Sequence, residues 1–185
     1  DSDGLVKKSP HNLIGYSEDF SSSTTSLVNI TVTENSIAAP DGTITGALIE
    51  RSSDGTAQRN LRKNFNVPYL QETVATYYLK AGTGTQAVIR LQDNTAQGGH
   101  VRFTLTGNGA IDSASNNIKG SIELVGDGWY KCIMSVNETT LTTTSIQAIL
   151  FLSAYGNSTD PGSIYLWHPQ VSQHTTCRQP LHQNH

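Results

Sequence analysis

Between Thr73 and Thr106 the chain alternates apolar and polar residues with a period of two, three times over. In the first run Ala75, Tyr77 and Leu79 share one side, and Thr76, Tyr78 and Lys80 take the other. Ala87, Ile89 and Leu91 then oppose Val88, Arg90 and Gln92, and Val101, Phe103 and Leu105 oppose Arg102 and Thr104. A helix needs its apolar residues near every 3.6 positions, so a period of two admits only extended chain with one face buried. Similar β-branched and aromatic runs recur at Asn29 to Thr33, Ala47 to Arg51, Asn60 to Val67, Ser121 to Val125, Trp129 to Val136, Ser145 to Ser153 and Ser163 to Val171. Pro40-Asp41-Gly42, Asp54-Gly55, Gly82-Thr83-Gly84, Gly98-Gly99, Gly107-Asn108-Gly109, Gly126-Asp127-Gly128 and Asp160-Pro161-Gly162 stand between the runs as turns. The expected fold is all-β: a jelly-roll-like antiparallel sandwich of about ten strands in two sheets, with less than about a tenth of the chain helical.

A length of 185 residues suits one domain. The expected division is an N-terminal arm or connector over 1–11, the sandwich over 12–173 and a C-terminal tail over 174–185. A chain opening at Asp1, with no initiator Met and no cationic-then-apolar leader, reads as a processed product or, the favoured reading, a stretch of something longer. Ser17-Glu18-Asp19-Phe20 can cap one helical turn, and Gly107 to Gly120 reads as a long polar hairpin loop. Charged residues are 15% of the chain and the net charge is -3, while Ser and Thr make up about a fifth. That balance offers nothing to a phosphate backbone, and no run of ~18 apolar residues is present to cross a bilayer, so neither nucleic acid nor membrane insertion is expected.

Catalysis is not expected. There is no Gly-x-Ser-x-Gly elbow, and the histidines at 11, 100, 168, 174, 182 and 185 lack a partner at a motif spacing. Glu50, Glu72 and Glu123 could act as acid and base only if two of them stood ~5–9.5 Å apart, and solvated strand carboxylates are the commoner case. Two cysteines, Cys132 and Cys177, make no disulfide framework and no CxxC metal site, and His174, His182 and His185 read as an exposed terminus before a metal site. No metal or other cofactor is called for, and a structural calcium has no residue pattern behind it. Tyr130, Cys132, Met134 and Val136 alternate inward, which makes Cys132 a small buried hydrophobe. Trp129, entering its strand from a tight turn, reads as a cap on one end of the core. Trp167 shares a side with Tyr165 against Ile164 and Leu166, and periodicity leaves open which side is core.

The polar sides of the three alternating runs, taken as one surface, are the candidate recognition face. Sugars are held by an aromatic ring under their C–H groups and by planar donors and acceptors around their hydroxyls. Tyr78 offers the ring, Arg90, Gln92 and Arg102 offer the planar groups, and Thr76, Lys80 and Gln147 extend the face. An ordinary solvated sheet face or a subunit contact would carry the same residues.

Asn12-Leu13-Ile14-Gly15-Tyr16-Ser17-Glu18-Asp19-Phe20 resembles the opening of a group of bacteriophage virion domains found in tail-fibre, tail-spike and head-fibre proteins. The likeness continues, in the same order, through Ala39-Pro40-Asp41-Gly42-Thr43, Tyr78-Leu79-Lys80-Ala81-Gly82, Gly126-Asp127-Gly128-Trp129-Tyr130-Lys131-Cys132 and Ile164-Tyr165-Leu166-Trp167. Such domains resemble carbohydrate-binding modules with jelly-roll folds. The resemblance implies a non-enzymatic structural or adhesion domain of a fibre, spike or head decoration on the virion surface. Its implied partners are other virion proteins, further copies of itself, most simply as a trimer, and host-surface polysaccharide. Where members of the group carry a tryptophan after the opening turn this chain has Thr25, so a sugar-stacking role there is lost. The ending His168-Pro169-Gln170 also departs from the group's acidic run. The second reading is a secreted carbohydrate-binding module of a bacterial polysaccharide-degrading enzyme.

Overall fold

Twelve strands, and no helix, occur among the residues that the computed structural model describes, which are 12–14, 19–20, 23–52, 58–152 and 162–173. The expected arm over 1–11, the tail after 173 with its histidines and Cys177, the Ser17 cap and the Asp54-Gly55 and Asp160-Pro161 turns lie outside them. In chain order the strands are β1 Thr25–Val28, β2 Ile30–Ile37, β3 Gly46–Arg51, β4 Asn60–Asn66, β5 Thr73–Ala81 and β6 Gln86–Asp93. They continue as β7 Gly98–Thr104, β8 Ala110–Ala114, β9 Lys119–Gly126, β10 Trp129–Val136, β11 Ser145–Leu152 and β12 Ile164–Gln173. They form two six-stranded antiparallel sheets, ordered β1-β4-β11-β6-β7-β8 and β2-β3-β12-β5-β10-β9. The fold is the all-β, jelly-roll-like sandwich the alternation predicts, with two strands more than the ten runs.

The alternating residues face each other across the sandwich. Ala75, Tyr77, Leu79, Ala87, Ile89, Leu91, Val101 and Phe103 are all 0% exposed and form the core with Cys132, Met134 and Val136 of β10. Apolar burial of this kind stabilises by roughly 25 cal/mol per Å2 and closes one sheet onto the other. In β12 the core side is Ile164 and Leu166, which leaves Tyr165 and Trp167 facing outward. Burial pushes the Cys132 thiol well above its ordinary range, so it stays protonated and inert. Trp129 is 1% exposed and donates from Nε1 to the Ala38 carbonyl at 3.1 Å, with its ring edge against Gly46, where a Cβ would come within 3.2 Å of Cζ2. It is buried as expected, held by the β2–β3 connection at the edge of the main core cluster.

Three expectations are corrected. Gly107 to Gly120 is no simple loop, because it contains β8 and the first residues of β9. All five residues of β8 are exposed, so its backbone pairing to β7 leaves no apolar alternation to read. Gly98-Gly99 is no turn, because both residues belong to β7 and the turn lies at 94–97. The polar faces of β5, β6 and β7 are not one surface, because β5 lies in the second sheet and β6 and β7 in the first. Gly82-Thr83-Gly84 crosses from sheet to sheet and docks on the chain before β12. Gly82 and Gly84 each donate an N–H to the Ser163 carbonyl, at 3.2 and 2.9 Å, and the Thr83 N–H donates to Ser163 Oγ at 3.1 Å.

Candidate functional site

The outer face of the first sheet is built by registered pairing of four central strands. One row reads Arg62, Ile149, Arg90 and His100 across β4, β11, β6 and β7. The next reads Asn60, Phe151, Val88 and Arg102, continued by Ser113 of β8. On the other side of the arginine row lie Asn64, Gln147 and Gln92. Val88, Ile149 and Phe151 form a small apolar cluster with at most 3% exposure, although they point away from the core. The apolar cluster is thus a covered floor beneath half-buried Arg62, Arg90, Gln92, His100, Arg102, Thr104 and Gln147. Arginine stems can cover such a floor while their guanidinium ends stay at the surface.

Most polar groups here are already oriented. Gln92 Nε2 donates to Gln147 Oε1 at 2.8 Å, which leaves the Gln92 carbonyl oxygen and the Gln147 amide group for other partners. Arg90 Nη2 donates to the Ala96 carbonyl at 3.4 Å. Asp112 accepts from Gln86 Nε2 at 2.7 Å and from Thr104 Oγ1 at 2.8 Å. The Nε atoms of Arg62 and Arg102 are buried with no hydrogen-bond partner. His100 stands with Nδ1 2.9 Å from Ser115 Oγ, and its pKa is held below the ordinary 6.5, first by burial and then by Arg90 and Arg102. At neutral pH it is therefore an uncharged imidazole beside two fixed cations.

Arg90, Gln92 and Arg102, with Gln147, are brought together as the sequence predicted. Tyr78 is not. It sits on the outer face of the second sheet, opposite Trp167 in register, with the two ring centroids 5.0 Å apart at 64°. Trp167 donates from Nε1 to Thr45 Oγ1 at 3.0 Å and has the His168 ring 5.1 Å away. Thr76 and Lys80 share that outer face by alternation along β5. Glu50 and Glu123 also lie on the second sheet, on β3 and β9, four strand spacings apart, which is about 19 Å and too far for paired acid–base work.

Arg62 and His100 are the members of the face that alternation missed. His100 follows the period of β7 and could have been read from it, whereas Arg62 joins the face through the pairing of β4 with β11, between distant parts of the chain. Among the described residues no group of three or more His, Cys, Asp or Glu is placed to hold a metal ion.

No family model matches the chain, and no curated protein matches it. Solved structures do. The enzymatically active domain of bacteriophage CBA120 tailspike protein 4 is 14% identical, with a TM-score of 0.51, over 88% of this chain and 21% of that one. The module TmCBM61, in complex with β-1,4-galactotriose, is 11% identical with a TM-score of 0.49, over 89% of this chain and 99% of the module. The Clostridium thermocellum xylanase 10B carbohydrate-binding and catalytic modules, complexed with xylohexaose, are 11% identical with a TM-score of 0.46, over 92% of this chain and 29% of theirs. The chain spans about a fifth of the tailspike chain it matches. At such identities the likeness is one of fold, shared with the matched fifth of that tailspike chain.

Proposed function

We propose that this chain is a non-catalytic glycan-binding domain, carried on a phage virion protein, whose sugar site is the outer face of the first sheet. The observation that carries this reading is the half-buried field of planar donors and acceptors, Arg90, Gln92, Arg102 and Gln147, over the covered apolar cluster of Val88, Ile149 and Phe151. Pre-oriented planar donors and acceptors suit a sugar, which shows hydroxyls around its rim. In the hydroxyl–imidazole contact of the face, Ser115 Oγ with His100 Nδ1, the same Oγ also accepts the His100 backbone N–H at 3.1 Å, and we read it as a strand-end hydrogen bond in a face that binds without bond cleavage. The preference for a virion surface over a secreted enzyme module rests on the motifs quoted above, and the fold likeness to part of a tailspike chain is in keeping with it. Assembly with other virion proteins as a trimer belongs to the same proposal, and light scattering on the intact parent protein tests it.

Glycan-array binding followed by titration tests the site. Arg90→Ala and Gln92→Ala should each weaken binding about fivefold or more, since each removes hydrogen bonds worth ~1 kcal/mol net. Tyr78→Ala should leave binding unchanged, because its ring is on the other side of the sandwich. Loss on Tyr78→Ala with no loss on the other two would move the site to the Tyr78–Trp167 face.

A further inference from the structure

We infer that the outer face of the first sheet selects an acidic polysaccharide, one whose rings carry uronate carboxylates; this rests on the glycan-binding reading above. The chain as a whole is formally -3, yet the charge on this face runs the other way. Taken strand by strand, the described charged or titratable side chains facing outward are Arg62 on β4, Arg90 on β6, His100 and Arg102 on β7 and Asp112 on β8. The single carboxylate is already engaged by Gln86 and Thr104.

Arg62 and Arg90 flank Ile149 in one row, about two strand spacings or ~9.5 Å apart, and Arg102 sits diagonally from Arg90 at roughly 7–8 Å. The three guanidinium groups thus form a track running across the strands. A neutral sugar draws only ordinary hydrogen bonds from such a track. A carboxylate takes two parallel N–H donors from one guanidinium, a geometry lysine cannot supply.

Hydroxyl-binding groups flank the cations, with the Gln92–Gln147 amide pair on one side and Thr104 on the other. Charge beside hydroxyl is the pattern of a uronate ring, which carries one carboxylate and keeps its hydroxyls. A densely sulfated chain, with hydroxyls replaced, would leave the amides unmatched.

The test uses the full chain with polygalacturonate, alginate and hyaluronan, the carboxyl-reduced neutral counterpart of each, and dextran sulfate. Binding to at least one uronate polymer is expected, at least tenfold weaker for its carboxyl-reduced form and weakened by added salt. Arg62→Gln and Arg102→Gln should each lower affinity at least fivefold with an unchanged melting temperature, and Arg102→Lys should recover part of the loss. Equal binding of the reduced polymers that is still lost in Arg102→Gln would overturn the acidic preference and leave the glycan site standing, and tighter binding of dextran sulfate would overturn the choice of carboxylate. Binding indifferent to both arginines, or no binding to any polysaccharide, would overturn both readings.

Discussion

Gly98→Ala is expected to lower folding stability by about 4 kcal/mol or more, a size reserved for substitutions that the backbone cannot absorb. Gly98 opens β7 with a φ of +142°, and a Cβ built there would lie 2.1 Å from the Leu91 carbonyl oxygen and 2.7 Å from the Gln92 Cα. Neither atom can move aside, because both belong to the β6 backbone that Gly98 and Gly99 pair with. Alanine must therefore break the start of the hairpin, and with it the register that sets Arg90 opposite His100 and Val88 opposite Arg102. Urea titration measures the loss, and glycan binding should fall with it. A variant within about 1 kcal/mol of the parent would mean that β6 and β7 do not meet as described.

That hairpin marks the limit of what the sequence made legible. Alternation within a strand is local: successive side chains must point to opposite sides, so the core residues of β5, β6 and β7 and the outward Arg90, Gln92 and Arg102 could be read directly. Assignment of a strand to a sheet is not local. Gly82-Thr83-Gly84 has the composition of a hairpin turn, and what makes it a crossing is its docking on Ser163, 80 residues further on. This is why Tyr78 read as a neighbour of Arg90 and stands on the opposite side of the sandwich. Arg62 was missed for the same reason, since β4 reaches the face by pairing with β11. β8 was missed for another: an exposed edge strand is held by its backbone and needs no apolar side chain.

Asp93→Ala is expected to cost about 3 kcal/mol and to flatten the acid side of the stability profile, because it removes the clamp that fixes the β6–β7 turn. The side chain is 0% exposed. Oδ1 accepts from the Thr95 N–H at 2.9 Å, the Thr95 hydroxyl at 2.7 Å and the Gln97 N–H at 3.0 Å. Oδ2 accepts from the Thr142 N–H at 2.7 Å, the Thr142 hydroxyl at 2.8 Å and the Thr143 N–H at 3.2 Å. One carboxylate thus ties the turn to the segment entering β11, beside the glutamine pair of the outer face. Asp-x-Thr is a local turn signal that a sequence shows, whereas Thr142 comes from 49 residues away.

Burial alone would raise the pKa of Asp93, but the bonds from Thr95, Thr142 and Gln97 outweigh it and hold the carboxyl well below its ordinary 3.8. Below that value the unfolded chain takes up a proton that the folded one refuses, so the contribution of Asp93 is full above it and is lost as the pH falls toward the lower native value. Urea midpoints measured from neutral pH down through this range should fall less steeply for the alanine variant than for the parent. Asn cannot substitute, because its NH2 would face donors where the second oxygen now accepts. Arg90 donates to Ala96 inside the clamped turn, so glycan affinity should drop in both variants even where they remain folded. An Asp93→Asn protein with parental stability and an unchanged acid slope would show that the clamp does not hold the hairpin.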